Sequence, residues 1–292
     1  MNSWWVLRLP YERVLAEEDV ASVHDLSKVD FDKFKLFLET DLKLSPRTVK
    51  DKLRILRKFL ASTPTITVDS IRQYLSRYNG KENGTYNNQL KALKTLTKFL
   101  GRKDLTETFT FAVEYEKPYK RLSKADLQRF YNALKSLDTR TRFLMYASSG
   151  LRPVELLGLT EKDTDMENRM IIPSVHKGAT KRSWVSFFNT ETEALMKEYI
   201  LTRKGKEKLF PRESHRMVNE WENAQKETGL NITAKVLRRW FSDEMGRIGI
   251  PDRYVDAMMG HIPRKMLSQR YTDLSPENLK EIYDKANLWV LE

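Results

Sequence analysis

Large apolar residues recur at helical spacing along most of the chain. Val49, Leu53, Leu56 and Leu60 follow at intervals of four, three and four, with Lys50, Arg54, Arg57 and Lys58 between them. That spacing predicts an amphipathic helix with a basic outer face. Its start is marked by Ser45-Pro46, because serine accepts from an unpaired backbone N–H and proline has none to lose. A second helix is expected from near Thr85, with Tyr86, Leu90, Leu93 and Leu100 on one face, Lys91, Lys94 and Lys98 outside it, and Gly101 as its stop. Both follow the form Thr, four residues, Leu, basic, aliphatic, Leu, basic. Phe31 to Leu42 and Val68 to Tyr78 read as shorter helices.

These elements predict an all-helical N-terminal domain over residues 1–112. Residues 113–121, with Pro118 and mixed charge, lack helical periodicity and read as a linker. Residues 122–292 make the second domain. There Ser123 caps a helix carrying Leu127, Phe130, Leu134 and Leu137, and Phe143 to Ser149 reads as another, broken at Gly150. Between Asp165 and Phe188, Met170-Ile171-Ile172 and Trp184-Val185-Ser186-Phe187 flank the turn-rich His176-Lys177-Gly178-Ala179-Thr180-Lys181, which predicts strand, hairpin tip, strand. The pattern is helical again from Glu191. Ser275-Pro276-Glu277 opens a last helix, and Leu288-Trp289-Val290-Leu291 is too apolar to stand free in water, so it packs on its own domain or on a neighbouring protomer. The expected class is mainly α with one small antiparallel sheet.

Charge sharpens this picture. The chain of 292 residues has 52 Lys+Arg against 40 Asp+Glu, a net +12. Residues 43–103 hold fifteen bases against Asp51, Asp69 and Glu82, so that segment alone equals the net charge of the chain, while residues 1–42 are acidic. Arg47, Lys50, Arg54, Arg57, Lys58, Lys91, Lys94 and Lys98 are the candidate polyanion contacts. A solvated Lys-rich surface would carry the same charge. The basic helices lack a strong Trp/Phe/Leu insertion face, so a membrane partner is not expected.

Composition removes other chemistries. With no cysteine there is no disulfide framework, zinc ribbon, thiolate nucleophile or iron–sulfur cluster. The four histidines never stand at i,i+4, and no HExxH, Walker A or GxGxxG occurs, so no metal, nucleotide or dinucleotide cofactor is expected. The first thirty residues carry acids where a cleavable signal needs an apolar stretch, and no apolar run is long enough to span a membrane. The expected location is cytoplasmic, with the nucleoid or, for a viral protein, in the host.

Five local signatures stand in order. They are Ser149-Gly150-Leu151-Arg152-Pro153-Val154-Glu155-Leu156, Lys177, Lys235-Val236-Leu237-Arg238, Met259-Gly260-His261 and Arg270-Tyr271-Thr272. Together they resemble the tyrosine recombinase (integrase) family of phage and Xer type, and Leu44-Ser45-Pro46-Arg47-Thr48-Val49 is similar to the opening of that family's core-binding domain. Lys235, where many bacterial members have histidine, is similar to archaeal virus- and plasmid-type integrases.

The resemblance implies a four-to-five-helix SAM-like core-binding domain followed by a catalytic domain. It implies Arg152, Lys177, Lys235, Arg238, His261 and Tyr271 as catalytic residues, and a site-specific recombinase that breaks and rejoins double-stranded DNA without metal or ATP. Four protomers would assemble on DNA, from a monomer or weak dimer in solution. Tyr271 would be the nucleophile, leaving a covalent 3′-phosphotyrosine and a free 5′-hydroxyl. Two arginines suit a phosphorus centre that gains negative charge. Lys177 or Lys181 would protonate the leaving oxygen. His261 and Tyr271 stand ten residues apart, one more than is usual, which leaves delivery of the tyrosine in cis or in trans open. A type IB topoisomerase would share the chemistry. A DNA-binding architectural protein would share only the charge.

Overall fold

A computed structural model describes residues 29–63, 65–115, 121–173, 185–261 and 272–291. The N-terminal acidic run, Lys177, Lys181 and Tyr271 lie outside the described residues. The chain divides into two compact units, Met1–Pro118 and Tyr119–Glu292.

In the first unit the described helices are α1 (Phe31–Thr40), α2 (Pro46–Ser62), α3 (Val68–Ser76), α4 (Asn83–Phe99) and the single turn α5 (Asp104–Glu107). Ser45 caps α2 through the Thr48 N–H at 3.3 Å, with Pro46 in the first turn. Thr67 and Ser70 close a capping box on α3. Helix α4 begins two residues before the expected Thr85, with Glu82 as its cap residue. Phe34, Leu38, Val49, Leu56, Phe59, Ile71, Leu90, Leu93 and Leu96 form one buried core. Beyond α5 the described chain forms no regular element through residue 115, and the buried Asn87 pairs with both the N–H and the C=O of Ala112 (2.8 and 2.9 Å). Asn83 donates to the Val113 carbonyl, so α4 holds the segment through residue 114 that the sequence reading gives to the linker.

The second unit contains α6 (Lys124–Ala133), α7 (Leu137–Ser149), α8 (Pro153–Leu156), a sheet of β1 (Thr164–Asp165), β2 (Met170–Ile171) and β3 (Ser186–Phe187), then α9 (Thr190–Arg203), α10 (His215–Thr228), α11 (Ala234–Ile248), α12 (Asp252–Met258) and α13 (Pro276–Ala286). The sheet is antiparallel in the order β1-β2-β3, with Met170 opposite Phe187 and Ile171 opposite Ser186. This is the mainly helical architecture with a small sheet that the pattern predicts.

Helix α7 is central, and residues 141–151 are all buried. It starts six residues before the expected Phe143, and Leu137 belongs to it rather than to α6. The polar residues of its first turns resemble a loop in sequence, yet each is consumed inside the unit. Thr139 donates to Glu220 at 2.6 Å, and Arg142 donates to Asp138 at 2.7 Å and to the Pro211 carbonyl at 2.8 Å. Gly150 ends the helix in the left-handed region at φ +62°, and a Cβ there would stand 2.4 Å from the Phe241 ring. The apolar tail packs on its own unit. Leu288 and Val290 are buried, the Glu191 carboxylate accepts from the Val290 and Leu291 N–H groups (2.7 and 3.0 Å), and Asn189 donates to the Leu288 carbonyl at 3.0 Å. No helix among the described residues is long and apolar enough to cross a membrane.

Candidate active site and nucleic-acid interface

The left-handed turn at Gly150 carries the chain out of α7 and delivers Arg152 as the cap residue of α8. Glu155, 8% exposed, fixes it twice, accepting from the Arg152 backbone N–H at 2.7 Å and from its guanidinium at 2.6 Å. Arg152 also reaches the Gly260 carbonyl at 3.4 Å.

Arg238 arrives from α11. Its guanidinium donates to the Gly150 carbonyl and, at 2.8 Å, to the Met259 carbonyl, and stands 3.1 Å from His261 Nε2. Glu155 lies 3.9 Å away. Burial foremost, and then the Arg152 charge, lower the Arg238 pKa to about 10, while Glu155 and Asp256 oppose them. It remains a cation at neutral pH. His261 follows α12, and its Nδ1 lies 2.7 Å from Asp256 Oδ1.

Three of the six predicted catalytic residues, Arg152, Arg238 and His261, therefore meet at one place from three chain segments. Lys235 is exposed in the first turn of α11, three residues before Arg238 and so on the same side of the helix. Lys177 and Tyr271 lie outside the described residues. Two members of the cluster carry no role in the sequence reading. Glu155 stands inside the quoted motif, and its i+3 spacing from Arg152 with proline between is a capping signature. Asp256 gives no such signal. A cavity of about 590 Å³, lined in part by Lys135, Arg216 and Glu220, contains none of these side chains. Glu220 there is committed to the Lys135 and Ser136 N–H groups.

On the first unit Arg47, Lys50, Arg54, Arg57, Lys58, Lys91 and Lys98 are exposed. Arg57 lies over the Phe31 ring and Lys91 over Phe111. Lys94 is half-buried and donates to the Thr106 carbonyl at 2.8 Å. Lys52, which the sequence also offers as a base, crosses from α2 to α4, donating to the Lys91 carbonyl and the Thr95 hydroxyl (3.0 and 2.8 Å). Burial, with Lys91 nearby, lowers its pKa.

Comparison with known proteins agrees with this architecture. The chain is 30% identical over 170 residues to a tyrosine recombinase XerA of Saccharolobus solfataricus, covering 58% of this chain and 57% of that one. It is 24% identical over 272 residues to a XerA of Thermococcus onnurineus, covering 88% and 95%. A lambda integrase, solved as a tetramer bound to a Holliday junction, shares the fold with a TM-score of 0.65 at 15% identity, over 88% of this chain and 81% of that one. The phage integrase family profile matches residues 120–278, more than half of the sequence. The chain belongs to the phage integrase family of tyrosine recombinases.

Proposed function

We propose that the protein is a site-specific recombinase that cuts and rejoins duplex DNA through a 3′-phosphotyrosine, with no metal ion and no nucleotide. The observation that carries this reading is the convergence of Arg152, Arg238 and His261, with their donors held by main-chain carbonyls and by Glu155.

A phosphodiester under attack gains charge on its non-bridging oxygens, and two fixed guanidiniums supply stabilisation without reorganising as the charge develops. Tyr271 Oη bonds to phosphorus and the bond to the 5′-oxygen breaks. His261 takes up or orients the phenolic proton, Lys235 assists at the same phosphate, and Lys177, with Lys181 as the rival in the same segment, protonates the leaving 5′-oxygen. Attack by a 5′-hydroxyl from a second duplex reverses the step, so the energy of the broken bond is kept and ligation needs no ATP. Residues 1–112 and residues 122–292 would each contribute contacts to the duplex. Four protomers on two duplexes complete the exchange.

The test is to incubate the chain with sheared genomic DNA from its source, stop with detergent, and sequence the DNA ends joined to protein. Adducts at one site are expected in EDTA, and none from Tyr271→Phe, which still binds DNA. An adduct that survives Tyr271→Phe, or one that requires a divalent metal, overturns the reading.

A further inference from the structure

The C-terminal end of α7 gathers three separate elements on three consecutive carbonyls. Tyr283 of α13 donates its hydroxyl to the Ser148 carbonyl at 2.8 Å. Ser186 of β3 donates to the Ser149 carbonyl at 2.6 Å. Arg238 of α11 donates to the Gly150 carbonyl. The last carbonyls of a helix have no partner within it, so whatever bonds to them fixes where the helix end stands. Here that end is one residue from Leu151 and two from Arg152, and it is also the seat of Arg238.

We propose that Tyr283 and Ser186 are positioning residues for strand cleavage. Through the Ser148 and Ser149 carbonyls they set the place of the Gly150 carbonyl, and so of both site arginines. This rests on the recombinase reading. Each hydroxyl connects a different part of the machinery to the same spot. Strand β3 is the strand that follows the segment containing Lys177, and α13 precedes the tail held by Glu191 and Asn189. Ser148 is tied to that tail a second way, since its hydroxyl pairs with Thr192 at 2.9 Å and Thr192 bonds Asn189. Seating of the hairpin strand and of the C-terminal segment therefore both bear on the arginines.

Tyr283 is 3% exposed, with its ring 5.4 Å from that of Phe187. Tyr283→Phe keeps that packing and removes only the donor. A matched control exists in Tyr199, 2% exposed, whose hydroxyl donates to Asp138 and to the Leu209 carbonyl, away from residues 148–150.

The experiment measures single-turnover adduct formation at saturating protein on a nicked duplex of the trapped site, together with DNA affinity and denaturant midpoint. Tyr283→Phe and Ser186→Ala are expected to slow the adduct step on the order of tenfold, as a small misplacement of reacting groups does, with DNA affinity unchanged. Tyr199→Phe is expected to lower the midpoint comparably and leave the rate alone. Wild-type rates from both variants, or an equal slowing by Tyr199→Phe, overturn the inference while the function stands. A wild-type chain that forms no adduct with any DNA overturns both.

Discussion

Arg238 owes its position to three acceptors. Two are main-chain carbonyls, at Gly150 and Met259; the third partner is His261 Nε2, and an arginine donating there meets the lone pair of the ring. Asp256 accounts for that, because a carboxylate opposite Nδ1 holds the proton on Nδ1 and leaves Nε2 as the acceptor. Asp256→Ala should therefore leave DNA affinity intact and lower the single-turnover cleavage rate by about ten- to a hundredfold. Both side chains are about half exposed, so stability should move by less than about 0.5 kcal/mol. An unchanged rate would show that His261 needs no orientation. This pair also marks the limit of what the sequence discloses about the site. Arg152, Arg238 and His261 are legible because each sits in a local motif. Asp256 acts by meeting a ring five residues on across a turn, and the partners of Arg238 come from Gly150 and Met259, at distances along the chain that no motif encodes.

At the scale of elements, the cap residues explain where sequence and structure agree. Ser45, Ser123 and Ser275 each accept from an N–H three residues on, a bond that depends only on neighbours, so their helices start where the sequence says. The start of α7 was hidden because its polar face is buried against partners far along the chain, and α5, α8 and β1 are too short to show a period. The same helix supplies a sharp prediction. Gly150 combines a left-handed backbone with the Phe241 ring in the space a Cβ needs, so Gly150→Ala should cost at least about 2 kcal/mol, read as a lower denaturant midpoint. A second concerns acid. The bonds from Arg247 hold the buried Glu244 carboxyl below the ordinary glutamate range against the effect of its burial, with Arg121 adding to them. A carboxylate with a depressed folded pKa stabilises above its unfolded pKa, and that contribution is lost as pH falls through the folded value. Glu244→Gln should thus be less stable than the parent at pH 7, with the deficit shrinking below about pH 4. A deficit constant with pH would assign the loss to packing alone.

For the molecule as a whole, a formal charge of +12 does not say which cations are available to a polyanion, and the structure separates them. Lys50 and Lys58 project from α2 into solvent, whereas Lys52 on the same helix spends its ammonium on the Lys91 carbonyl and the Thr95 hydroxyl, joining α2 to α4. Binding to duplex DNA of any sequence should weaken steeply with salt, because each phosphate neutralised releases counterions. Lys50→Ala and Lys58→Ala should each weaken binding uniformly across sequences and flatten the plot of log affinity against log salt by about one unit. Lys52→Ala should instead leave that slope unchanged and lower the unfolding midpoint, since it deletes a half-buried donor that ties α2 to the Lys91 carbonyl and the Thr95 hydroxyl of α4. A Lys52→Ala variant that flattened the slope as much as Lys58→Ala would mean that the ammonium leaves its carbonyl for phosphate, and that the joint between α2 and α4 opens when DNA arrives.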